Sequence, residues 1–290
     1  MASLRQIRRR IRSVKGTAQL TRAMQLVAAS KMRRAQAQVV AARPYAEKIS
    51  QVIADVASQT VTPEGGALHP LLARRAHPQR VELLIVSSDR GMAGGLNTNL
   101  IRAAAQQISQ EPAPVVATAI GRKGRDWLLR TGRELRAEFI GIGDRPAYLD
   151  IVPVARVVMD DFINGYVDRV DLVYTRFVNT LVQRPIVRRL LPVEPAEADR
   201  QRAIEYIYEP SPEQVLAELL PRFVEVEIYE ALLEATASFH SAQMVAMRSA
   251  TDNANEIVNE LTLMYNQARQ TSITTELIDI VGGSAGIGVR

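Results

Sequence analysis

The sequence predicts an α/β protein in which a long antiparallel coiled coil of the N- and C-terminal helices accompanies a compact α/β block. Three observations predict it. The first 42 residues carry a heptad seam, the stretch from Arg222 to Val281 contains neither Pro nor Gly, and strand-like and helix-like runs alternate between these ends.

The chain has 290 residues, enough for one large domain or two modest ones. Hydrophobic residues make up 47% but aromatics only 5%, so Ala, Leu, Ile, Val and Met must supply the packing, which suits long helices. There is no cysteine, which excludes disulfides, thiolate nucleophiles and Cys-ligated metals. No apolar run approaches the roughly 18 residues of a membrane-spanning helix. The Arg-rich, acid-free start has the composition of a transit peptide, but its helical pattern continues far past any usual cleavage point.

At the N-terminus, Leu4, Ile7, Ile11, Val14, Ala18, Thr21, Gln25, Ala28, Met32, Ala35, Val39 and Ala42 follow a 3–4 alternation. All but Thr21 and Gln25 are apolar, the mark of a helix lying along another helix. Beyond Val14 the seam residues shrink, so a partner can come close. Ser3 is the expected N-cap, and Pro44 is expected to kink or end the helix. At the C-terminus, Met244, Met247, Thr251, Ala254, Val258, Leu261, Tyr265 and Ala268 form a second seam, with Ser211-Pro212 as the start and Gly282-Gly283 as the expected stop.

The two ends carry opposite charge. Residues 1–43 hold eleven Lys and Arg and no acid, a balance of +11; residues 211–290 hold eleven acids and four Arg, a balance of −7. Opposite charge and matching seams make the two helices natural antiparallel partners. The expected organisation is an N-terminal coil helix over 1–58, an α/β domain over 81–193 and a C-terminal coil helix over 211–282.

The middle places strands at Val81–Ser87, Pro114–Ile120, Ala137–Ile142, Val170–Phe177 and Pro185–Leu191, with helices at Asn97–Gln110, Gly121–Arg130 and Leu149–Tyr166. Strand, helix and strand in turn imply crossovers and a largely parallel sheet, with the last two strands close enough for a hairpin. Linkers at Thr62–Pro70 and Pro192–Ala198 flank the block, and Ile204–Tyr208 reads as one more short strand.

No catalytic constellation emerges. The stretch from Ser87 to Asn97 is glycine-rich between a strand and a helix, but it is neither G-x-G-x-x-G nor a P-loop, so a tight turn is the better reading than a phosphate cradle. His69, His77 and His240 show no metal-ligand spacing and read as surface residues. Asp160 and Asp161 are adjacent on a helix and point in different directions, which excludes a paired-carboxylate site there. No cofactor is expected. The basic first helix also admits a nucleic-acid-binding coiled coil, although no aromatic able to stack on bases precedes Tyr45.

Three segments resemble one family. Ile7–Ile11 through Thr21–Ala35, Ser88–Asn97, and Tyr265–Leu277 are similar to the opening, middle and closing motifs of the gamma subunit of rotary F-type ATP synthase, in the same order and at the same separations. The resemblance spans the chain. It implies an antiparallel coiled coil with a Rossmann-like α/β domain that binds no dinucleotide. It implies a non-catalytic rotor shaft, one copy per complex, inside a ring of three alpha and three beta subunits. Its foot joins the epsilon subunit and the c ring of Fo, so that proton-driven rotation is coupled to ATP synthesis on beta. Nucleic acid is then no partner, and the location is peripheral, on the cytoplasmic face of a bacterial plasma membrane. Arg269, Gln270 and Thr274 match positions contacting beta-subunit loops, Met24 matches the position facing the acidic lever loop of beta, and Lys31 and Arg33 belong to the same motif. Gln243 stands where many relatives have Arg, Met92-Ala93 replaces a common Leu-Cys pair, and the regulatory cysteines of the chloroplast form are absent.

Overall fold

The computed structural model describes residues 3–59, 69–194, 209 and 211–287. Helix α1, Leu4–Gln59, starts on the expected cap: the Ser3 hydroxyl accepts from the Gln6 amide at 3.3 Å, and the Gln6 side chain accepts from the Ser3 amide at 3.1 Å. The helix does not end at Pro44, since α1 runs through it. Proline forfeits the bond to the carbonyl four residues back, and its ring crowds that carbonyl. Both Pro44 and Val40 are exposed, so the turn that loses the bond lies on a side open to water.

Helix α5, Pro212–Ile287, begins as read: the Ser211 hydroxyl accepts from the Gln214 amide at 3.3 Å, with proline in the first helical position. It contains Pro221 and continues through Gly282-Gly283, so the expected stop is also corrected. Glycine permits the left-handed conformation that ends a helix but does not require it, and as a helical residue it costs only about 1 kcal/mol.

Five strands form one sheet: β1 Val81–Val86, β2 Val115–Ile120, β3 Leu135–Phe139, β4 Arg169–Phe177 and β5 Gln183–Leu191, in the order β3-β2-β1-β4-β5. The first four are parallel and β5 closes an antiparallel hairpin with β4. Helices α2 Leu96–Gln110, α3 Arg122–Arg130 and α4 Val152–Ile163 make the crossovers. Every residue of β1 is buried, which marks a central strand covered on both faces. Its side chains alternate between two cores. Leu84 and Val86 join Phe162 of α4, Ile49, Ile53 and Val56 of α1, and Leu216, Leu220 and Val224 of α5. Leu83 and Ile85 join Leu100 and Ala104 of α2 and Trp127 and Leu128 of α3. The expected Ile204–Tyr208 strand and most of both linkers lie outside the described residues.

The chain divides into two compact units, residues 1–27 with 244–290, and residues 28–243. In the first, the ends of α1 and α5 run antiparallel, as Arg8 bonds the Tyr265 hydroxyl and Thr21 meets Thr251. The seam positions Ile7, Ala18, Thr21, Met247, Thr251 and Ala254 are buried. In the second, Ala35 and Val39 of α1 pack on Leu233 and Ala237 of α5 beside the α/β sheet. Opposite charge does not hold the helices together through direct pairs: among the described residues, no ion pair within 4 Å joins a cation of α1 to an acid of α5.

Candidate functional site

The stretch after β1 reaches across to the turn from β2 into α3. Asp89 lies beyond the strand and aims its carboxylate at the start of α3. One oxygen accepts from the Arg122 amide at 3.0 Å and the other from the Gly141 amide at 3.0 Å. The Lys123 amide bonds the Ser88 carbonyl at 3.1 Å, and the Gly124 amide bonds the Ser87 hydroxyl at 2.8 Å. All three amides that α3 would offer to a phosphate are thus satisfied internally. The approach is close because Gly121, at φ 88°, has no Cβ; one placed there would lie 2.1 Å from the Ser87 carbonyl oxygen. The turn from β2 into α3 therefore offers a phosphate none of its first three amides.

The reading of Asp160 and Asp161 holds as well. Asp160 is exposed, whereas Asp161 is buried in a two-pronged pair with Arg136 at 2.7 and 2.8 Å. Another buried acid went unnoticed in the sequence. Glu82, on central strand β1, accepts from the Thr118 hydroxyl at 2.6 Å through one oxygen only. Burial pushes its carboxyl up to about 7, with Thr118 pulling the other way.

In the first unit, the seam narrows to a buried hydroxyl pair. Thr21 and Thr251 stand 2.7 Å apart across it, while their hydroxyls also reach the carbonyls of Ala18 and Met247 on their own helices. Met24 is half-buried beside the seam; Arg269, Gln270 and Thr274 are exposed farther along α5. The Thr274 hydroxyl donates back to the Gln270 carbonyl at 2.9 Å, which leaves its lone pairs outward. Thus four of the six expected contact residues share one unit. The other two belong to the second unit, where they behave differently. Arg33 is exposed, whereas Lys31 bonds Asp144 at 2.5 Å.

That aspartate organises a cluster absent from the sequence reading. Asp144, in the segment after β3, also faces Arg90 and His240, each at 3.7 Å. Burial raises its carboxyl, but Lys31, His240 and Arg90 together bring it below the usual range. His240 is not the surface residue expected: it is 1% exposed. Neither ring nitrogen has a hydrogen-bond partner among the described residues, although Gln243 is close enough to pull its pKa upward. Burial lowers the imidazole, against the attraction of Asp144. The only warning in the sequence was position, since His240 falls on the face of α5 that carries Leu233 and Ala237. Among the described residues no cluster of His, Cys, Asp and Glu is arranged to hold a metal ion, and no helix is long and apolar enough to cross a membrane.

A two-helix coil in one unit and, in the other, a mostly parallel sheet whose α3 terminus is filled by the chain's own carboxylate define the class of protein, a coiled coil with an α/β domain. A family model described as ATP synthase matches residues 3–287. The ATP synthase gamma chain of Dehalococcoides mccartyi strain CBDB1 is 52% identical over 287 residues, covering 99% of this chain and all of that one. That of Roseiflexus sp. strain RS-1 is 50% identical over 290 residues and 99% of each chain. The structure of the Euglena gracilis mitochondrial ATP synthase described as OSCP/F1/c-ring, rotational state 3, contains a chain that superposes with a TM-score of 0.67 at 17% identity, covering 99% of this chain and 96% of that one. The chain belongs to the ATP synthase gamma-chain family. It is a non-catalytic subunit of ATP synthase.

Proposed function

We propose that this chain turns, one copy per complex, inside a ring of three alpha and three beta subunits, with its foot joined by the epsilon subunit to the c ring of Fo. Proton flow turns the c ring, the shaft turns with it, and its uneven sides take the three beta sites through successive conformations. The complex sits at the cytoplasmic face of a bacterial plasma membrane with this chain peripheral to it.

The observation that carries this reading is the far end of α5. Tyr265 is tied to Arg8, near the beginning of α1, yet α5 continues to Ile287. Along that continuation Ile273, Leu277, Ile278 and Ile280 are between 48 and 68% exposed. A helix end with this much open apolar surface needs a cover from another molecule. A sleeve suits it better than a flat interface, because the exposed side chains point to several sides: Arg269 and Gln270 alone diverge by about 100° around the axis. Met24, Arg269, Gln270 and Thr274, with Lys31 and Arg33 farther along α1, are the proposed contacts with beta. A charge-assisted hydrogen bond from Arg269 to a beta carboxylate contributes about 1.5–3 kcal/mol in one rotary position and must break at the next, so it times the cycle.

The test is Arg269→Ala with Gln270→Ala in the assembled enzyme. ATP synthesis and hydrolysis are expected to fall while subunit stoichiometry stays normal. Unchanged turnover removes the two residues from the mechanism, and failed assembly makes them structural.

A further inference from the structure

The rotor reading leaves one cavity unused. In the β3-β2-β1-β4-β5 order, the chain steps outward from β1 to β2 and β3 and then returns past β1 to β4, so the strand order reverses between β1 and β4. The carboxyl ends of these strands therefore open a crevice at the point where open α/β sheets hold ligands. Here the crevice is roofed by α5 and encloses about 300 Å³, the lower end of the range for small-molecule sites. Leu100, Ile120, Phe139 and Phe239 give it apolar walls. Thr175, at the end of β4, also lines it, and its buried hydroxyl has no hydrogen-bond partner among the described residues.

The charges around the cavity select the ligand. Asp89 has both oxygens engaged by the amides of Arg122 and Gly141, and Asp144 is paired with Lys31. Arg122 has no ion pair among the described residues, and Arg90 reaches Asp144 only at 3.7 Å with its side chain 69% exposed. Lys31, Arg90 and Arg122 together outweigh the Asp89 and Asp144 carboxylates by one charge, so the rim is positive on balance, and Arg90 is its exposed cation. A phosphate has no seat at α3, whose first three amides are taken.

We propose that this cavity is a binding site for a small amphipathic carboxylate, an aromatic or branched aliphatic acid whose apolar body lies among Leu100, Ile120, Phe139 and Phe239 and whose carboxylate meets Arg90 and Arg122. Because α5 forms the roof, an occupant ties that helix to the carboxyl edge of the sheet. Of the proposed beta contacts only Lys31 reaches the site, through its ion pair with Asp144.

The experiment uses the full chain with 2-naphthylacetate, 2-naphthylethanol and AMP as probes, followed by titration calorimetry and saturation-transfer NMR. Saturable binding of the acid is expected, with none of AMP. Arg90→Ala with Arg122→Ala is expected to weaken the acid about fivefold and leave the alcohol unchanged. Ala235→Trp fills the cavity from α5 and is expected to abolish binding of both naphthyl probes. Thr236→Met, a smaller intrusion from the same helix, carries this control if the tryptophan variant does not fold. Absence of saturable binding at millimolar acid, unchanged affinity in the filled variant, or equal loss of acid and alcohol in the double variant overturns the proposal.

Discussion

The two units are built on opposite principles. The sheet unit packs large aliphatic and aromatic side chains, among them Phe162, Leu172 and Ile120, into cores on both faces of a fully buried strand. The coil of residues 1–27 and 244–290 has a seam one residue wide, where the buried groups are Ala18, Thr21, Thr251 and Ala254 with few larger side chains. A thick core gives stability through volume. A thin seam gives little per residue, but it lets two helices approach closely and leaves most of each helix surface for other molecules. The difference teaches that the chain invests its folding energy in one unit and its contact surface in the other.

The contrast breaks first in the sheet. Phe162→Ala empties a site buried to 1% exposure and is expected to cost about 3–5 kcal/mol, measured by denaturant unfolding. Replacement of Glu82 sharpens the same region. Its carboxyl is raised from 4.5 to about 7 by burial, so the folded chain holds a proton that the unfolded chain releases. Its contribution is therefore best below pH 4.5 and is lost as pH rises through 7. Glu82→Gln is expected to remove this slope and to stabilise the protein at pH 8 by roughly 2–4 kcal/mol, the scale set by 1.36 kcal/mol per pH unit.

His240 works in the other direction. Its folded pKa is lowered, so the unfolded chain takes up a proton first; stability is complete above about pH 6.5 and declines as pH falls below it. In the Glu82→Gln background, where the opposing slope is gone, wild-type His240 is expected to give a falling unfolding midpoint between pH 7 and 5. His240→Gln is expected to flatten it. The smallest effect belongs to the thin seam: Thr251→Val keeps the shape and deletes one hydroxyl, and is expected to cost about 0.5–1.5 kcal/mol by thermal unfolding.

Periodic features were legible in the sequence because period is what packing imposes on it. All twelve positions of the first seam, from Leu4 to Ala42, are buried or half-buried, and the five strands and three crossover helices lie within a few residues of their expected places. Punctuation misled: Pro44 and Gly282-Gly283 lower helix propensity locally, but long neighbouring helical runs carry the backbone through them. Contacts between distant residues were not legible. Asp89 reaches the amides of Arg122 and Gly141, and Asp144 gathers Lys31, Arg90 and His240 across three elements. Charge totals misled for a related reason. The opposite signs of the two ends are real, yet among the described residues no cation of α1 forms an ion pair with an acid of α5, and Arg8 meets the Tyr265 hydroxyl instead.

The threonine pair has a consequence for length. An alanine-rich seam resembles itself every seven residues, so two such helices slid by one heptad would still pack, and the slide would move α5 by about 10 Å along α1. Thr21 opposite Thr251 breaks that sameness, since any other alignment buries a hydroxyl against carbon. The pair works as a ruler mark: it sets how many turns of α5 stand beyond the first turn of α1. A misplaced mark would change how far α5 extends past α1 without unfolding either helix.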